Sequence, residues 1–280
     1  MPPGGDETGG GPDRSAKPVA SASVSGINYY GGPLMVQNPV NIYYIWYGKW
    51  AGNSGVPLLT ALAKNMGSSS WYRIISSYFQ LNGATKTFVP TWGAVPALRY
   101  SNATFDSAYS QGKSLSDEAV GRIVTAAINS GAFGRPDPNG IYFVLTTPDV
   151  TATSGFCTQY CAWHTYGMVR GVAIKCSFVG SGLRCPSACA PFSPSPNGNV
   201  GADAMASTLS HELVETVTDP TFTGWYDSQG YENADKCAWT FGQTYKIFTG
   251  AMYNVIIGPN AFMIQRNWLN VGAGSCVTTY

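Results

Sequence analysis

Charge is scarce in this chain and histidine scarcer: Asp, Glu, Lys and Arg make up 11% of its 280 residues, and only two residues are His. Soluble domains usually carry about 25% charged residues, so uncharged polar groups, glycine and proline must make much of the surface. The net charge is +1 with no run of Lys or Arg, which leaves no electrostatic footprint for nucleic acid or for an acidic membrane. No apolar stretch approaches the roughly 20 residues that span a bilayer. The opening Met1-Pro2-Pro3-Gly4-Gly5-Asp6-Glu7 has no apolar signal segment and reads as the start of a mature or trimmed chain, with a flexible leader over residues 1–25. No cysteine occurs before Cys157.

What is present is 33 Gly, 18 Pro, 17 Tyr and 8 Trp in a chain that is 44% hydrophobic. That composition buries a large core and is rich in turns, as in compact exported proteins. Residues 26–280 show no internal repeat and no interior linker, and read as one domain expected to be monomeric. The seven cysteines, at 157, 161, 176, 185, 189, 237 and 276, imply three disulfides and one odd thiol. A thiolate zinc cluster fits less well, because Cys157/Cys161 and Cys185/Cys189 each enclose three residues where zinc ribbons usually enclose two. Cys176, inside the strand-like run from Val172 to Phe178, is the expected free thiol. The pairing itself stays open. Disulfides point to an oxidising, extracellular compartment, and the sequon Asn102-Ala103-Thr104 is compatible with one.

Local patterns suggest strands alternating with helices, hence a single α/β or α+β domain. Val40 to Tyr47, rich in β-branched and aromatic residues, reads as a core strand. Apolar spacing of three and four predicts helices over Pro57 to Asn65 and Ser70 to Gln80. Ala84 to Tyr100 alternates like a strand interrupted by Pro90 and Pro96. Ser116 precedes Asp117 and Glu118 as a helix start that should run to Ser130. Gly140 to Thr147 and Val169 to Val179 are the second and third strands, and Pro191 to Gly198 is a loop.

The most informative segment is Ser210-His211-Glu212-Leu213-Val214-Glu215. On a helix, positions i and i+4 share a face, so His211 and Glu215 can grip one cation while Glu212 points toward its open side. The pattern is that of the zinc hydrolase motif His-Glu-x-x-His with Glu215 in place of the second His, and carboxylate oxygen is a legitimate zinc ligand. Met205, Leu209, Leu213 and Val217 form an i, i+4 series expected to bury one side of this helix. A catalytic zinc needs three protein ligands. Asp219 lies eight residues beyond His211, about 12 Å along a straight helix, and reads as a turn or supporting residue. Asp235 or Glu232, on a loop tethered at Cys237, is the expected third ligand, with Asp235 preferred as nearer the anchor. His164 is the runner-up. A zinc ion there would acidify bound water, and Glu212 would take the proton as general base. Tyr226 is a weaker candidate for stabilising an oxyanion.

The pieces Gly32-Pro33-Leu34-Met35, Val40 to Lys49, Phe156-Cys157 through His164, Cys185-Pro186-Ser187-Ala188-Cys189-Ala190 and Asn197-Gly198-Asn199-Val200-Gly201 together resemble the EXORDIUM, or phosphate-induced, family. The resemblance covers most of the chain from about residue 30. It implies a secreted, cell-wall-associated protein without an established reaction, and a structural role for His164. It also identifies this chain as similar to microbial members that carry His-Glu-x-x-Glu, unlike the plant branch, and implies a zincin-like architecture in which a mixed sheet covers the active-site helix. Two functions follow as expectations. One is a secreted zinc metallopeptidase-like hydrolase acting on extracellular protein or peptide. The alternative is a non-catalytic cell-wall or carbohydrate-binding protein using exposed Trp and Tyr. A structural calcium on Asp219, Asp227, Glu232 and Asp235 is a further expectation.

Overall fold

The computed structural model describes residues 26–82, 87–89, 95–190 and 192–280. The expected leader over residues 1–25 and much of the stretch from Ala84 to Val95 lie outside the described residues.

Five strands form the central sheet: β1 (Val40–Tyr47), β2 (Leu98–Asp106), β3 (Gly140–Thr146), β4 (Ala162–Val169) and β5 (Val172–Val179), in the order β2-β1-β3-β5-β4. β1 pairs in parallel with β2 and β3, and β3 pairs in parallel with β5, while β4 alone runs antiparallel, against β5. β1 and β3 are buried along their whole length, as strands with both faces covered must be, so their sequences are near-continuous apolar runs.

The strand period of two divides that apolar run between two cores. Ile42, Tyr44 and Trp46 of β1, with Phe143 and Leu145 of β3, pack against helices α1 (Gly55–Met66) and α3 (Val200–Thr218) through Leu59, Leu62, Met205, Leu209 and Leu213. Tyr43, Ile45 and Tyr47, with Tyr142 and Val144, pack on the other face against Val120, Ile123 and Val124 of helix α2 (Asp117–Asn129). Helix α2 begins where expected. The Ser116 hydroxyl accepts the Ala119 amide at 3.2 Å, and Asp117 and Glu118 occupy the first turn.

Two expected elements differ. The helix over Ser70 to Gln80 is only a short 3₁₀ turn, Tyr72–Ser77, followed by a brief strand Gln80–Asn82. The third strand is half of a hairpin. β4 and β5 are joined by Arg170 and Gly171, both at positive φ (49° and 77°), the conformation of a tight two-residue hairpin turn. β4 is hard to read in sequence, because a cysteine directly precedes it and small and polar residues break its alternation.

Three disulfides join Cys157 to Cys185, Cys161 to Cys189 and Cys237 to Cys276, and Cys176 is free and buried. The first two lie side by side and tie the segment preceding β4 to the short helix Pro186–Cys189. The third staples residues near the chain end to the segment after α3. No helix among the described residues is long and apolar enough to cross a membrane.

Candidate metal centre

Helix α3 carries the motif, and its surroundings differ from the amphipathic expectation. Every residue from Gly201 to Thr218 is buried, so the helix is enclosed on all sides rather than along the Met205/Leu209/Leu213/Val217 stripe alone. Its start and several of its hydroxyls are satisfied locally. Asn199 caps the start by accepting the Ala202 amide, and the hydroxyls of Ser210, Thr216 and Thr218 donate to carbonyls four residues back. The helix stops at Asp219, whose Oδ1 accepts the amides of Thr223 and Gly224 at 2.7 Å each. Asp219 is therefore the residue that shapes the turn.

Within this enclosed helix His211, Glu212 and Glu215 are at most 1% exposed. His211 Nε2 lies 3.1 Å from Glu215 Oε1 and 3.4 Å from Asp235 Oδ1. Glu215 Oε1 also accepts the amides of Ala234 and Asp235, at 3.1 and 2.9 Å. These two bonds dock the loop after α3 onto the helix and carry Asp235 to His211. Asn233 adds a bond from Nδ2 to Thr218 Oγ1, Lys236 Nζ reaches Asp227 Oδ2 at 3.1 Å, and the Cys237–Cys276 bridge closes the segment.

The second imidazole arrives from the sheet. Trp163 packs into the core on the α2 side, so alternation turns the next residue of β4, His164, toward α3. Its Nδ1 lies 3.3 Å from Glu212 Oε2 and 3.9 Å from Glu215 Oε2, and its Nε2 lies 3.5 Å from Glu232 Oε2. The Phe222 ring lies 5.1 Å from the imidazole, centre to centre. Asp235 and Glu232 are thus both in the cluster but serve different histidines.

Two sets of ligand atoms result. His211, Glu215 and Asp235 can each offer one atom within 4.8 Å of the other two, and so can His164, Glu212 and Glu215. Imidazole with carboxylate is a donor set suited to zinc and similar divalent ions. Burying ionised carboxylates together costs several kcal/mol each unless cations or hydrogen bonds compensate, and Glu215 Oε2 is buried without accepting a hydrogen bond. The residues fit a divalent metal. Of the four acids considered for calcium, Asp219 serves its own turn, Asp227 pairs with Lys236, and only Glu232 and Asp235 face the cluster. Tyr226 stacks on Tyr30 with ring centres 4.0 Å apart.

His164, only the runner-up ligand in the sequence and given a structural role by the family resemblance, stands inside the cluster. The available signal was that both histidines of the chain would have to share one centre, but that depends on β4, which the sequence conceals.

The sequence matches the conserved region described as Phosphate-induced protein 1 over residues 27–261. The chain belongs to the EXORDIUM, or phosphate-induced, family. It is 31% identical to Protein EXORDIUM-like 5 of Arabidopsis thaliana across 91% of this chain and 78% of that protein. Protein EXORDIUM-like 3 of the same plant is 29% identical, across 92% of this chain and 85% of its own length. Protein PHOSPHATE-INDUCED 1 of Nicotiana tabacum is 25% identical across 72% and 68%. These EXORDIUM relatives are plant proteins and their names state neither a metal nor a reaction, so they lend nothing to a microbial-type peptidase. No solved structure matches the chain.

Proposed function

We propose that the protein is an extracellular, non-catalytic member of the EXORDIUM family, bound to cell-wall carbohydrate and stabilised internally by a divalent metal at the His/carboxylate centre. The observation that carries this reading is enclosure. A catalytic metal keeps a coordination position that substrate can reach, whereas His164, His211, Glu212 and Glu215 are at most 1% exposed and Glu232 is 5% exposed. Three disulfides suit an oxidising compartment. Exposed rings provide surfaces on which sugars stack, among them Tyr30 on Tyr226, Phe105, Tyr245 and Phe248.

The test is depletion of the purified protein by insoluble cellulose, hemicellulose and pectin. Depletion by at least one polymer, reduced by Tyr30→Ala or Phe248→Ala and retained after chelation, is expected. No depletion on any wall polymer overturns the reading.

One observation favours a second reading, a zinc hydrolase of extracellular protein or peptide with a zincin-like arrangement of sheet over helix. His211, Glu215 and Asp235 converge as a three-ligand set, and Glu212 stands beside them in the same helical turn. In that reading these three residues hold the metal, which supplies Lewis acidity, and Glu212 accepts a proton. Digestion of a peptide library that is lost both on chelation and in Glu212→Gln would establish it in place of the first.

A further inference from the structure

Glu215 stands between the two histidines. Its Oε1 faces His211 at 3.1 Å and its Oε2 faces His164 at 3.9 Å. The amides of Ala234 and Asp235 fix the carboxylate plane by bonding Oε1, which leaves Oε2 directed at the His164 side as a buried acceptor with no hydrogen bond. The ligand sets on the two sides share no other residue.

We infer that the centre is dinuclear, with Glu215 as the bridging carboxylate between a metal held by His211 and Asp235 and a second metal held by His164 and Glu212. The inference rests on the reading that His211, Glu215 and Asp235 bind a metal, and adds a second ion that changes the role of Glu212. With its Oε2 3.3 Å from His164 Nδ1, Glu212 is a ligand of the second ion and is not available as a general base. Glu232 touches the other ring nitrogen, Nε2, at 3.5 Å. It is a positioning residue that fixes the tautomer and orientation of His164, as carboxylates do behind metal-bound imidazoles.

Charge balance points the same way. When ionised, Glu212, Glu215, Glu232 and Asp235 bring four negative charges into one enclosed volume. One divalent ion offsets half of that charge and two offset all of it, the condition under which buried charge is least costly. Two metals bridged by a carboxylate sit about 3.5–4 Å apart. Oxygen-rich ligation with one imidazole per ion suits Mn(II) and Zn(II) alike.

The experiment strips the full-length protein with chelator and reloads it with Zn(II) or Mn(II) alone. Elemental analysis of the zinc form should give two equivalents per chain for wild type, one for His164→Ala and one for His211→Ala. The Mn(II) form of wild type should give an exchange-coupled electron paramagnetic resonance spectrum, and this readout stands even where a His variant fails to fold. Glu232→Gln should keep both equivalents while weakening retention of one. A wild type that saturates at one equivalent with an isolated six-line Mn(II) spectrum overturns the dinuclear inference and leaves the single-metal reading standing. Two equivalents retained in His164→Ala also overturn it. Zero equivalents in wild type remove both.

Discussion

His164 and Glu212 are 48 positions apart in the chain and face each other at 3.3 Å with neither side chain exposed to solvent. The contact joins the antiparallel edge strand of the sheet to the helix packed beneath it. It depends on two periodicities meeting, alternation along β4 and the helical turn that places Glu212 beside His211 and Glu215.

Glu215 holds the loop as well as any metal. Glu215→Ala removes the acceptor of the Ala234 and Asp235 amides, and a buried donor left without its partner costs about 1–3 kcal/mol. Denaturant unfolding of the metal-free protein should therefore show a loss of at least that size. If chelated wild type and variant unfold together, the amides are satisfied in another way.

The Cys237–Cys276 bridge closes 39 residues of chain. Loop-closure entropy of that length is worth about 4 kcal/mol. Replacing both cysteines by serine should lower stability by up to that amount and speed metal loss, because the segment carrying Glu232 and Asp235 is held at Cys237. Metal retention unchanged in the double variant would show that the Glu215 amide bonds alone fix the loop.

Cys176 sits in the core between β5 and α2, and burial pushes its thiol up to about 12. Native protein at pH 8 should resist alkylation, whereas denatured, unreduced protein should yield one thiol per chain. Rapid labelling of the native form would mean that this core opens.

Burial also pushes the Asp219 carboxyl up to about 6 from its usual 3.8, against backbone amides of Gly224, Thr223, Phe222 and Thr221 that favour its charged form. A pKa raised by folding means the native state holds the proton more tightly. That stability is fully present below about pH 4 and is lost as pH rises through about 6, with a total of up to about 3 kcal/mol. In the presence of chelator, Asp219→Asn should flatten this part of the stability profile. A slope between pH 4 and 6 identical to wild type would count against the assignment.

Much of the frame was determined by the sequence alone. The apolar run of β1, the Ser116 cap of α2, the count of three bridges with Cys176 left over, and the His211/Glu215 spacing are local properties, set by side-chain period, capping and parity. Family membership was legible too, because short motifs recur in order along the chain. Tertiary structure decided the rest. Which cysteines pair depends on segments brought together over 28 and 39 residues, and no spacing rule chooses among the alternatives. Sequence favoured Asp235 over Glu232 only by its place nearer Cys237, and the docking of the loop through the Glu215 carboxylate assigned them, one toward each histidine. His164 entered the centre because its strand pairs antiparallel with β5 and turns it toward α3. Long-range strand pairing leaves a weak local trace where cysteines, glycine and polar residues interrupt the alternation, so both the strand and the second half of the centre were settled by packing.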